Sequence, residues 1–256
     1  MANDFQERRE DAAPLLTPEA PYPLPESVGA DLPTEEALGG EDDKPVQSTR
    51  HRQQGDLILH LLGRVWRHRE DICIAGDLAV YYQHPQPPVV PDAMVALGVP
   101  CRDRKAYLVW KEGKGPDWVL ELLSESNPAK DRERNYTIYE QRLRVPEYFW
   151  FNPLAPAELR GFRLHGGHHY EEVPADKQGR LWSEVLGLYL GMHDGWLRIY
   201  DRQGGLVLTA EEAAGQERAA RLAAEETVGQ ERAARLAAEA ELAGLREELA
   251  RRKTGH

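Results

Sequence analysis

The stretch Asp117–Ser124, DWVLELLS, limits the fold more than any other. Trp118, Val119, Leu120, Leu122 and Leu123 leave no polar alternation, so the segment reads as a strand buried on both faces. At its centre stands Glu121. An unpaired charge in an apolar interior is strongly unfavourable. Either a partner stabilises Glu121, or the strand lies elsewhere.

The surrounding pattern supports the strand. Leu57, Ile58, Leu61, Leu62, Val65 and Trp66 recur at helical spacing within His51–Arg69. Strands are expected at Asp71–Ala75, Leu78–Tyr82, Val89–Leu97 and Ala106–Trp110, then at Trp118–Leu123. Asp131–Leu143 reads as a helix burying Tyr136, Ile138, Tyr139 and Leu143, and Glu147–Phe151 as a further strand. Helix, strands, helix and strand around an apolar centre predict an α/β domain with a mixed central sheet flanked by helices. Gly-rich turns at 165–168 and 202–205 predict a β-hairpin extension over 159–209.

Charge divides the chain further. Twelve of the 43 acids and three of the 32 bases fall in residues 1–49, leaving 31 acids against 29 bases in the remainder. The first segment, rich in Pro, Gly, Asp and Glu, is expected to be a disordered acidic arm that drapes on the body, if at all, near Tyr22 and Leu24. The near-neutral body leaves room for a local basic face and a DNA partner. Two cysteines without a metal or disulfide spacing, an N-terminus without an apolar core and the lack of a spanning apolar run predict a cytoplasmic protein outside the membrane.

Beyond Thr209 the composition shifts to Ala, Glu, Arg and Leu, a helical tail over 210–256. GQERAARLAAE occurs at 215–225 and again at 229–239, an offset of two heptads. The seam is broken at Gly229, so a solvated Ala-rich helix and a self-associating coil both fit. The body, 50–209, lies between arm and tail.

Pro91-Asp92 precedes Glu121 by 29 residues, and a basic helix follows at once. Two neighbouring buried carboxylates repel, and a hard divalent cation removes that repulsion. A buried arginine partner for Glu121 is the structural alternative.

The series Pro91-Asp92, DWVLELLS, Asp131 to Tyr139 and VPEYFWF at 145–151 resembles the bacterial family described as putative restriction endonucleases, in the PD-(D/E)XK nuclease superfamily. The resemblance extends over residues 50–209 and is strongest to members with a Glu/Arg/Ala-rich helical tail. It implies a restriction-endonuclease-like core that cuts DNA phosphodiester bonds with Mg²⁺ or Mn²⁺. Asp92 and Glu121 would hold the metal, with the backbone carbonyl of Leu123 as a third ligand. A lysine two residues after the acid usually holds the attacking water in the superfamily, and that place is Leu123. In this family the lysine comes from the next helix, four residues before the tyrosine matched by Tyr139, and that place is Asn135. Lys130, with Arg132 and Arg134 nearby, is the candidate substitute.

These expectations describe a metal-dependent endonuclease acting on DNA as a homodimer or other homo-oligomer. The alternative is a weakened or inactive nuclease fold that serves as a binding module through its tail. Asp77 is expected in a turn, and the histidines 165, 168 and 169 flank another.

Overall fold

The computed structural model describes residues 49–123, 128–153 and 157–254. All of the expected arm except Thr49 lies outside these residues, Tyr22 and Leu24 included. Helix α1 spans Thr49–Val65, followed by β1 (Ile72–Ala75), β2 (Val80–Tyr81), β3 (Ala93–Leu97) and β4 (Tyr107–Leu108). A helical turn, α2 (Val109–Glu112), precedes β5 (Trp118–Leu122). Helix α3 (Pro128–Thr137) continues into a π-helical turn, Ile138–Arg142. Next come β6 (Glu147–Asn152), β7 (Glu158–His165), β8 (His169–Glu172), β9 (Leu181–Ser183), β10 (Leu188–His193) and β11 (Trp196–Tyr200), and finally α4 (Ala210–Thr254).

The strand read from DWVLELLS sits inside a six-stranded sheet of order β1-β3-β5-β6-β7-β8. β5 pairs antiparallel with β3 and parallel with β6, so the sheet is mixed and the fold is α/β, as expected. Every residue of β5 is buried. Alternation sends Trp118, Leu120 and Leu122 to one face and Val119 and Leu123 to the other, into separate clusters. The first face meets Ile58, Leu61 and Leu62 of α1, with Leu190, Leu197 and Ile199 of the three-stranded sheet β11-β10-β9. The second meets Tyr139 and Leu143, together with Val80 and Tyr107 from the parallel pair β2-β4. Glu121 occupies the place that alternation gives to this second cluster.

Several sequence boundaries move, two of them for a plain local reason. The strand expected over Val89–Leu97 begins only at Ala93, because Pro91 has no N–H for a ladder and its carbonyl instead accepts Asp77 N–H at 3.0 Å. Val89 forms an isolated bridge with Val80. The run Ala106–Trp110 is strand only at Tyr107–Leu108 and then coils into α2, which ends at Gly113 with φ 81°.

Helix α1 is anchored at a distance. Gln54 Nε2 donates to the Leu197 carbonyl at 3.0 Å, and Leu197 N–H donates to Gln54 Oε1 at 2.9 Å, across 143 residues. A buried amide is thus satisfied by two β11 backbone groups that would otherwise lack partners.

By contact the chain divides between Val207 and Leu208. The second unit is α4, which opens with a capping box: Thr209 N–H donates to Glu212 Oε2 at 2.7 Å, and Glu212 N–H to Thr209 Oγ1 at 3.1 Å. Arg221–Glu225 and Arg235–Glu239 are equivalent i,i+4 pairs in the two repeats, each at 2.9 Å. Leu222, Val228, Leu236 and Leu242 are each more than half exposed.

Candidate functional site

Asp92 stands immediately before β3, and the β3–β5 register pairs Ala93 with Leu120. One further step along that antiparallel register brings Asp92 opposite Glu121. Leu122 N–H donates to Asp92 Oδ2 at 2.6 Å, which fixes the aspartate against the end of β5. The two acids named from the sequence therefore meet at one end of the sheet.

Glu121, 9% exposed, receives two side-chain donors from the helix that follows it. Tyr139 Oη donates to Glu121 Oε1 at 2.6 Å, and Asn135 Nδ2 donates to the same oxygen at 3.1 Å. Residues four apart share a helix face, so Asn135 and Tyr139 reach the carboxylate together. Tyr139 lies at the entry to the π-turn, where Leu143 N–H bonds Ile138 O at 2.9 Å over five residues. Burial, then the neighbouring charge of Glu121 and its hydrogen bond, pushes the Tyr139 hydroxyl well above its ordinary value; Asp92 adds to the shift. Tyr139 is thus a neutral donor across the physiological range.

His51 completes the surroundings. Its Nε2 lies 2.8 Å from the Leu122 carbonyl and 3.7 Å from Asp92 Oδ1. A carbonyl only accepts, so Nε2 carries the proton of that bond. Leu122 is held at both backbone groups, by Asp92 and by His51. The sequence reading missed His51 as a site residue. The available signal was that His51 and Gln54 extend the buried stripe of Ile58, Leu61 and Leu62 backwards by one to two turns.

The other named residues separate clearly. Leu123 is buried, with its N–H bonded to Phe151 O at 2.8 Å, so its backbone is fixed beside Glu121. The side chains of Lys130 and Arg132 lie outside the described residues. Arg134 is exposed, whereas its neighbour Asn135 contacts Glu121. Asp77 has φ 52° and serves the turn between β1 and β2.

The donor set suits a hard cation. Asp92 and Glu121 offer carboxylate oxygen and Leu123 a backbone carbonyl, the chemistry that Mg²⁺ or Mn²⁺ accepts. Among the described residues, no group of three His, Cys, Asp or Glu side chains is placed to hold a metal. Two carboxylates are within the number that Mg²⁺ commonly takes from a protein while retaining water.

The remaining buried acids have structural partners. Lys114 Nζ meets Asp117 Oδ2 at 2.6 Å, and Leu97 N–H donates to the same oxygen at 2.7 Å. Glu147, 1% exposed, accepts from Arg163 Nε at 3.0 Å, from Glu184 N–H at 2.9 Å and from the Ser183 hydroxyl. Burial nevertheless pushes Asp117 and Glu147 upward. His165 and His169 lie exposed on the β7–β8 hairpin, both near Glu171. Cys73 is buried and Cys101 exposed, both as free thiols.

Comparison with known proteins gives the chain's family. The model of the family Uma2, described as "putative restriction endonuclease", matches residues 33–199. Among solved structures, the chain is similar to a putative nuclease belonging to DUF820 from Anabaena variabilis ATCC 29413. That similarity has 14% identity and a TM-score of 0.44, and it covers 56% of this chain and 76% of the other. No curated protein matches the chain.

Proposed function

Because the chain belongs to the Uma2 family of putative restriction endonucleases, we propose that it is a Mg²⁺-dependent endonuclease hydrolysing DNA phosphodiester bonds. The observation that carries this reading is the meeting of Asp92 and Glu121 at the end of β3 and β5, tied through Leu122 N–H. Asp92, Glu121 and the Leu123 carbonyl would hold the cation. When bound, Mg²⁺ supplies polarisation of the phosphate, a lowered pKa for water and stabilisation of the leaving oxygen.

The chain's own groups provide order. Tyr139 and Asn135 converge on one oxygen of Glu121 and limit its rotation. His51 and Asp92 fix the Leu122 peptide between them. Such preorganisation means the carboxylates need not rearrange as charge develops. Glu121→Ala should reduce Mg²⁺-dependent plasmid nicking at least ~100-fold, the scale of losing one preorganised electrostatic group. Unchanged nicking by this variant would sink the proposal.

The second reading is a weakened nuclease fold kept as a binding module, and Asn135 favours it. An amide at the family's lysine place holds Glu121 by hydrogen bond without adding positive charge. Calorimetric Mn²⁺ titration beside the nicking assay separates the two: metal uptake with cleavage supports the enzyme, and neither supports the module. No helix among the described residues is long and apolar enough to cross a membrane.

A further inference from the structure

The row of carboxylates continues across the sheet into residues of different chemistry. Glu121 pairs in register with Trp150 on β6, and Trp150 with Arg160 on β7. Neighbouring strands lie about 4.8 Å apart, so Arg160 is only two strands, or about 10 Å, from the acid. Between α3 and β7, on the same face as Glu121, a hollow of about 460 Å³ opens. This falls within the roughly 300–1,000 Å³ of small-molecule pockets.

Its lining has two parts. The half-buried Tyr136 and Phe162, meeting edge to face at 5.2 Å and 86°, supply aromatic walls over a floor at Trp150, which is buried. Glu133, Glu158 and Arg160 supply the polar part. Arg160 is committed to carboxylates, to Glu158 at 2.8 Å and to Glu172 at 2.5 Å. A phosphate would therefore meet more negative than available positive charge. A planar aromatic ring with N–H donors on its edge would instead stack on the walls and donate to the glutamates.

We propose that the hollow is a subsite for an unpaired, amine-bearing nucleobase on the DNA strand whose phosphate lies at Asp92 and Glu121. The proposal rests on the nuclease reading and deepens it. A base stacked within a duplex cannot enter, so the substrate carries a single-stranded or splayed nucleotide beside the scissile bond. Carboxylate acceptors favour cytosine, whose N4 amine donates to Glu or Asp. Thymine has no exocyclic amine, and its ring N–H is flanked by two carbonyl oxygens that a carboxylate repels.

Fluorescence anisotropy of the full chain with labelled oligo(dC) and oligo(dT), in Ca²⁺, tests the subsite. The wild type should bind oligo(dC) about fivefold or more tighter than oligo(dT). Phe162→Ala should weaken oligo(dC) binding about tenfold, as expected for the loss of one base–aromatic stack. Glu158→Gln, at the half-buried rim, should remove the preference while shifting the thermal melt little, as a partly exposed ion pair contributes little stability, so the test does not depend on how Phe162→Ala folds. Equal wild-type binding of the two oligonucleotides, or a preference that survives Glu158→Gln, overturns the subsite. A parallel Mg²⁺ nicking assay keeps the two readings apart. Cleavage without base preference defeats the subsite alone, whereas preference without cleavage defeats the nuclease reading and supports the subsite.

Discussion

Asp117 and Glu121 lie four residues apart on one buried segment, yet their surroundings differ. Asp117 has a lysine at 2.6 Å, whereas Glu121 receives the neutral donors Tyr139 and Asn135. Asn135→Lys would place a cation where the amide now reaches Glu121. If the family's chemistry operates here, this variant should raise Mg²⁺-dependent cleavage about tenfold or more, within the range of added electrostatic stabilisation. Single-turnover nicking is the check, and unchanged or lower rates count against it. Glu112 gives a separate, structural prediction. Burial raises its pKa, but the hydrogen bond and charge of Arg104, joined by Arg102, reverse this and hold the carboxyl below the usual glutamate range. With a depressed folded value, its stabilisation is complete above the unfolded pKa and is lost as pH falls through the folded one. Glu112→Gln should therefore be less stable than wild type at neutral pH, with the gap narrowing below about pH 4 in urea titrations. A gap independent of pH would refute the assignment. At this scale Glu121 was legible because it interrupts the apolar run of DWVLELLS, as Asp92 interrupts that of Val89–Leu97. His51 was not, because its role depends on which strand end the first turn of α1 covers.

Local turns and helix irregularities decide where those residues point. A Cβ at Gly76 would stand 2.5 Å from a Leu59 side-chain carbon and 2.7 Å from the Asp92 carbonyl. The leucine can move, but the carbonyl belongs to the segment that delivers Asp92 to β5. Gly76→Ala should destabilise the fold by about 1–3 kcal/mol, the usual scale of overpacking. It should also lower Mn²⁺ affinity in calorimetry at temperatures where circular dichroism shows the variant folded. Wild-type metal affinity in the folded variant would separate Gly76 from the site. The spacing Gly76-Asp77 predicted a turn, and Asp77 adopts it. That the turn presses on Asp92 was hidden, because it depends on a contact sixteen residues away. The helix after β5 was legible from Tyr136, Ile138, Tyr139 and Leu143. Its π-turn was not, since five-residue spacing leaves no signature in apolar periodicity.

Across the whole molecule, the α/β order was readable because β5 lacks alternation and the hairpins carry their glycines in turns. Gly166 and Gly167, with φ 59° and 74°, turn β7 into β8 where the sequence placed a hairpin. The attachment of the three-stranded sheet to α1 was not readable, since it joins segments from opposite ends of the body. The tail is a different matter. Exposed Leu222, Val228, Leu236 and Leu242, carried on a repeat of two-heptad offset, motivate the proposal that two copies associate through α4. Deleting residues 210–256 should lower the sedimentation coefficient to that of a monomer, and an unchanged oligomeric state would refute a role for the tail. Within the body, the pair of bonds from Gln54 to Leu197 has a consequence in time. Synthesis produces His51, both carboxylates and their helix long before β11 exists. Until β11 emerges from the ribosome, the amide of Gln54 has no backbone to grip, and α1 lacks that anchor over the acidic end of the sheet. The last strand of the body is thus the piece that ties the first helix, His51 included, into its final place.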